Sequence, residues 1–298
     1  MSRSQLVFLH LGVLILGVIA NHSYASVAAT ISVVDDAGRT VTLPAPAQRI
    51  ISLSPHVTEL LYAAGAGERI VGVVSYSDYP AVAKNLPKVG SYNAVDLEAI
   101  VALQPDLIVA WQSANPTAAL EKLQSLSFPV FFSEPRQLED VASNLERLGK
   151  LTGNGAVASM ASAVFRRKLR ELRDKYRTVR DVSVFYQVWH QPLITINGEH
   201  IISQVIELCG GRNVFGKLSV LAPKVSLEAV LRKDPEVIVA GNSALNHPGW
   251  KDDWVRWSSL RAVKNNHLFY VNPDIIQRHT PRILQGAEVL CQQIEVAR

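Results

Sequence analysis

The chain carries one phrase twice. "LEAIVALQPDLIVA" occupies residues 97–110 and "LEAVLRKDPEVIVA" occupies residues 227–240. Leu, Glu, Ala, Pro, Ile, Val and Ala coincide in register, at an offset of 130 residues (227 − 97). Each copy follows an N-cap residue, Asp96 or Ser226, whose side chain suits the free N–H groups of a first helical turn. Each then runs as a short helix, turns at Pro105 or Pro235, and ends in an apolar run rich in Val and Ile. A short apolar run bounded by turn signals reads as a buried strand.

The same alternation extends outward from both copies. "ISVVDDAGRTVTLP" alternates apolar and polar residues and turns at Asp-Ala-Gly, the pattern of a hairpin. "RIISLSP", "RIVGVVS", "PDLIVAW" and "FPVFFSE" are strands. Between and after them come the helices "HVTELLYAAGAG", "DLEAIVALQ", "NPTAALEKLQSL" and "QLEDVASNLERLGKL". Residues 155–177 contain no turn signal and keep helical apolar spacing, so they predict one helix of roughly six turns. The alternation then restarts with "VSVFYQVW", "LITING" and "PEVIVAGN", and closes on a helix from about residue 281. Val- and Ile-rich strands alternating with helices predict mostly parallel sheets covered on both faces. The expected fold is α/β: two Rossmann-like lobes, 30–152 and 180–298, joined by a single backbone helix within 153–179, with a ligand cleft between the lobes.

The N-terminus reads as an export signal. Arg3 precedes an apolar segment, residues 6–20, followed by polar residues and the small residues Ser23 and Ala25. This layout predicts a signal peptide over residues 1–25 and a periplasmic protein. A transmembrane anchor is the alternative, and the apolar run is short for one. The 298 residues suffice for two domains; the net charge of +4 and the 19% charged residues give no footprint for nucleic acid. Cys209 and Cys291 are the two cysteines. In an exported chain they can form one bridge; two separate buried thiols are the alternative.

In an open α/β sheet, ligands lie beyond the carboxyl ends of the strands. Tyr76, Asp78 and Tyr79 stand after "RIVGVVS", Tyr92 after "PKVGS", Trp111 after "DLIVA", Trp189 after "VFYQV", and Asp274 with Arg278 after "LFYVNP". Aromatic side chains facing one another across a cleft suit a large, flat, partly apolar guest. Each has an ordinary alternative, packing against a neighbouring loop, and Asp274 and Arg278 are spaced to pair on a helix. Glu98 and Glu228 fall at equivalent places in the two copies. Acids in a first turn stabilise the helix; two matching carboxylates also offer anchors to a twofold partner carrying arginines. His56, His190, His200, His247, His267 and His279 show no metal-ligand spacing. No phosphate loop and no Gly-x-Ser-x-Gly elbow is present, so a secreted hydrolase is the weakest reading.

Four stretches together resemble a known group: "DDAGRTVTLPAPAQRIISLSPHVTELLYAAGAGERIVGV", "SYSDYP", "VGSYNAVDLEAIVALQPDLIVAW" and "ISQVIELCGGRNVF". They are similar to periplasmic substrate-binding proteins of ABC importers for cobalamin and ferric siderophores, and most to the cobalamin branch. The resemblance implies two lobes on a rigid helix, a cleft that moves little, no catalysis and no cofactor. It assigns Tyr76, Tyr92, Trp111, Trp189, Asp274 and Arg278 to the ligand. It assigns Glu98 and Glu228 to docking on the arginines of a permease dimer served by ATPase subunits. It matches Cys209 and Cys291 to that branch's disulfide. Tyr92 stands where the branch often has Trp, and Ala222 where a cleft Trp can occur. The expected protein is a monomeric receptor for cobalamin or a related corrinoid. A haem or ferric-siderophore receptor is the alternative, with Tyr76 or His190 as the axial ligand of haem; a siderophore wants basic residues, for which the cleft offers mainly Arg278.

Overall fold

The computed structural model describes residues 30–241, 244 and 247–298. The expected leader, residues 1–25, lies outside the described residues. The described chain opens with the predicted hairpin, β1 (Ile31–Val34) antiparallel to β2 (Thr40–Leu43). Asp35 builds its turn: Oδ1 accepts the N–H groups of Ala37 and Arg39 at 3.0 and 2.8 Å.

Two parallel sheets follow. The first contains β3 (Ile50–Ser52) and β4 (Ile70–Val73), then, past the small hairpin of β5 (Gly90–Ser91) and β6 (Ala94–Val95), β7 (Leu107–Ala110) and β8 (Val130–Phe132). Its order is β4-β3-β7-β8. The second contains β9 (Val182–Gln187), then, past the hairpin of β10 (Trp189–His190) and β11 (Leu193–Ile194), β12 (Gly211–Asn213), β13 (Val237–Ala240) and β14 (Leu268–Tyr270). Its order is β12-β9-β13-β14, so the two sheets repeat one topology. "LITING" departs from expectation: only Leu193–Ile194 is strand, because it folds back on Trp189–His190 instead of joining the sheet.

Helices cover both sheets. α1 (Pro55–Ala63), α2 (Leu97–Ala102), α3 (Thr117–Ser125) and α4 (Leu138–Leu151) belong to the first half. α5 (Gly155–Tyr176) is the predicted long helix, about 33 Å at 1.5 Å per residue. α6 (Ile201–Leu208), α7 (Leu227–Lys233) and a final helix, Ile283–Glu295, serve the second half. The quoted repeat survives to the level of single side chains. Leu107 and Val109, like Val237 and Val239, face a central core. Ile108 and Ala110 face one outer cluster, and Ile238 and Ala240 face the other. This is the two-residue period of a strand buried on both sides.

The central core is continuous across the molecule. It runs from the first sheet through α1, α4, α5 and α6 to the final helix and the second sheet. Ala158, Ser162, Phe165, Leu169, Leu172 and Tyr176 form the buried face of α5, spaced three and four apart as a helix stripe must be. α4 and α5 meet closely at Gly149, where an added Cβ would lie 2.2 Å from the Ala158 Cβ. Cys209, the C-cap of α6, and Cys291 in the final helix form a disulfide, and both are fully buried.

Candidate ligand-binding site

In a strand–helix–strand unit the helix runs against its strands, so helix starts and strand ends share one edge of the sheet. Tyr76 follows β4 on that edge. The loop beneath it is pinned by buried hydroxyls: Ser52 Oγ lies 2.8 Å from Thr58 Oγ1, which donates to Ser77 Oγ at 3.0 Å. With Ser77 held, Tyr76 adopts φ 65° and leaves its side chain 76% exposed. A bulky residue at positive φ costs of order 1 kcal/mol.

Trp111 follows β7. Asn115 fixes it: Oδ1 accepts the Trp111 N–H at 2.6 Å, while Nδ2 donates to the carbonyls of Leu53 at 2.9 Å and Tyr92 at 2.7 Å. One amide thereby ties Trp111 to Tyr92 and to the end of β3. The rings of Tyr92 and Trp111 lie 6.3 Å apart, and Trp111 meets His56 edge-on at 5.1 Å. His279, from the second half, stands 6.1 Å from Trp111 and 5.7 Å from His56, with His200 5.9 Å further on. Three of the histidines that look scattered in sequence, His56, His200 and His279, form an aromatic column with Trp111 that joins the lobes. Burial pushes His56 down to about 3, with the Arg278 charge adding to it against an opposing backbone contact at Ser133. Burial, then the Arg136 charge, brings His200 to about 4. Burial and the neighbouring His56 and His200 hold His279 well below its ordinary value. The column is therefore neutral at physiological pH. The Trp111 indole N–H is buried with no acceptor among the described residues.

Charged groups cross between the lobes beside this column. Glu59 of α1, 3% exposed, accepts from Arg278 Nη1 at 2.9 Å and from Arg282 Nε and Nη2 at 2.9 and 2.6 Å. Arg278 also binds Asp78 and Asp274, each at 2.7 Å. The Arg282 guanidinium lies 3.8 Å over the Tyr79 ring, within cation–π range. Burial pushes the Asp78 carboxyl up, yet Arg278 holds it below the usual carboxylate range.

Six residues were expected at the ligand. Tyr92 and Trp111 are brought together. Tyr76 stands exposed on the edge of the same sheet. Arg278 meets the "SYSDYP" loop through Asp78 and holds Asp274 on its other side. Trp189 stands apart from the column on the second lobe, its Nε1 donating to the Gln191 carbonyl at 3.0 Å, next to His190, which stacks on His247 at 4.6 Å. Glu98 and Glu228 are exposed in first turns capped by Asp96 (3.0 Å to the Ala99 N–H) and Ser226 (3.2 Å to the Ala229 N–H). Its own backbone N–H and the Ser226 hydroxyl hold the Glu228 carboxyl below its usual range. Glu59, Arg282, Asn115, His56 and His279 carry no site signal in the sequence. Each contributes through partners remote in the chain.

Paired α/β lobes on one helix, with aromatic side chains at the carboxyl edge, define a solute receptor rather than an enzyme. A family described as "Periplasmic binding protein" matches residues 50–275, and the chain belongs to it. The vitamin B12-binding protein of Vibrio campbellii (strain ATCC BAA-1116) is 42% identical over 254 residues, 85% of this chain and 91% of that one. That of Yersinia pestis (strain Pestoides F) is 39% identical over 255 residues, 85% and 89% of the two chains. The crystal structure of the periplasmic vitamin B12-binding protein BtuF of Vibrio cholerae matches with a TM-score of 0.79 at 39% identity, covering 85% of this chain and 98% of that chain. The haem-binding protein RhuT of Roseiflexus sp. RS-1 shares the fold, with a TM-score of 0.75 at 21% identity over 84% of this chain and 99% of that chain.

Proposed function

We propose that this chain captures cobalamin between its lobes in the periplasm and delivers it to the permease of an ABC importer. The observation that carries this reading is Tyr76, a large aromatic side chain held outward at an unfavourable φ on the ligand edge of the first sheet. In this reading Tyr92 and Trp111 extend the aromatic surface, Trp189 adds a ring from the second lobe, and Asp274 and Arg278 stand at the polar rim. A corrin ring offers a broad apolar face to such side chains, and its amide arms offer donors and acceptors to the rim. The relatives that share about two-fifths of the sequence are named for the same vitamin. In this reading residues 1–25 are removed on export, residues 30–152 and 180–298 are the two lobes, and 153–179 connect them. Glu98 and Glu228, at equivalent helix starts, meet arginines of the permease dimer, and the receptor works as a monomer. Titration of the purified mature protein with cyanocobalamin, with haem as the comparison, tests the reading. Saturable corrinoid binding is expected; haem binding in its place overturns it.

A further inference from the structure

The ion pairs that cross between the lobes form the polar floor of the proposed cleft. Three arginines lie at or near it, and each is engaged by a carboxylate. Arg136, whose charge is felt by His200 and His279, pairs with Glu134 at 3.2 Å. Arg282 is held by Glu59. Arg278, only 13% exposed at its side chain, is shared by Glu59, Asp78 and Asp274. The two rim carboxylates keep the exposure: Asp78 is 40% and Asp274 49% exposed at the side chain. Lys84 and Lys88 lie near enough to act on or feel the Asp78 charge, but neither contacts it, and the Lys88 ammonium sits 3.4 Å from the Ala83 carbonyl.

This arrangement treats neutral and anionic ligand arms differently. An amide N–H arriving at the rim meets carboxylate oxygens that can accept it. A carboxylate arriving there meets the exposed Asp78 and Asp274 first, with the mostly buried Arg278 beneath them already shared by three carboxylates. Glu59 anchors Arg278 there. It comes from the opposite lobe, is almost fully buried, and is itself fixed by Arg282, so Arg278 can swing out only by giving up its ion pair with an immobile, buried carboxylate. Specificity then arises from repulsion built against the wrong ligand as much as from attraction to the right one.

We propose that Glu59 and Arg282 act as positioning residues that lock Arg278 under its rim carboxylates, so that the cleft selects a macrocycle fringed by neutral amides over one fringed by carboxylates. This rests on the corrinoid reading above and adds to it the chemical basis of the choice. The test compares the affinity of the full mature protein for cyanocobalamin, for cobalamin whose peripheral amides are hydrolysed to carboxylates, and for haem. The hydrolysed corrinoid should bind roughly 100-fold more weakly at neutral pH, since like charges placed in contact are strongly disfavoured. Asp78→Asn with Asp274→Asn, both on exposed side chains, should narrow that ratio about tenfold, and Glu59→Gln, with its fold checked by a thermal melt, should narrow it as well. Equal affinity for the two corrinoids, or a ratio unmoved in the double Asn variant, overturns the charge selection while leaving the corrinoid reading standing. Binding of haem with no binding of either corrinoid overturns both.

Discussion

Replacing Tyr76 with glycine should leave the fold intact and remove much of the affinity. The tyrosine is 76% exposed. An aromatic side chain offers about 150–250 Å2 for burial, so roughly 150 Å2 of Tyr76 awaits a partner. If the guest covers about 100 Å2 of it, the protein side alone contributes ~2.5 kcal/mol at 25 cal/mol per Å2. Its loss raises Kd roughly 60-fold. Stability should barely change, because two small effects oppose each other. Glycine relieves the strain of φ 65°, worth about 1 kcal/mol. Its freedom in the unfolded chain costs about 0.5–1 kcal/mol. Isothermal titration with cyanocobalamin and a thermal melt read both quantities on one preparation. A Kd within threefold of the parent protein refutes the cleft assignment. A loss of about 3–5 kcal/mol, the cost of truncating a core aromatic, refutes the claim that Tyr76 is spared from the core.

Reversing both helix-start acids, Glu98→Lys with Glu228→Lys, should leave corrinoid affinity and the melting temperature nearly unchanged and abolish uptake in a transport assay; normal uptake excludes the docking role. Cys209→Ser with Cys291→Ser reopens a loop of 82 residues and should lower the unfolding free energy in denaturant by about 4 kcal/mol. Acidification should destabilise the protein through the aromatic column. His56 and His200 are held neutral in the fold, near 3 and 4, so the unfolded chain takes up protons first. Their contribution is complete above about pH 6.5 and falls as pH drops towards 4. Denaturation midpoints at pH 7.5 and 5 should show the loss, and His56→Gln should flatten the dependence.

The sequence displays what is local or repeated. The offset copies at 97–110 and 227–240 foretell both the matching strand orders and the inward or outward aim of each side chain in β7 and β13. The unbroken run after residue 155 foretells α5. Aromatics after strands foretell where the rings stand, Tyr92 beside Trp111 and Tyr76 exposed on the sheet edge, because strand ends are fixed by the same apolar runs. What stays hidden depends on distant partners. Glu59 sits in an apolar helix with nothing to mark it, and the arginines that justify its burial lie 219 and 223 residues away. His56, His200 and His279 come from three separate segments, so no spacing betrays their column. "LITING" misleads because a two-residue strand in a tight hairpin looks the same, residue by residue, as a strand in a sheet.

The single apolar interior shared by the two halves bears on how an importer could tell a full carrier from an empty one. Hinged carriers announce their cargo by changing outline. Here a large swing of one half against the other would tear open the common interior along α5, so the outline should be nearly the same in both states. The message of occupancy then has to come from the cargo's own uncovered face, touched directly by whatever receives it.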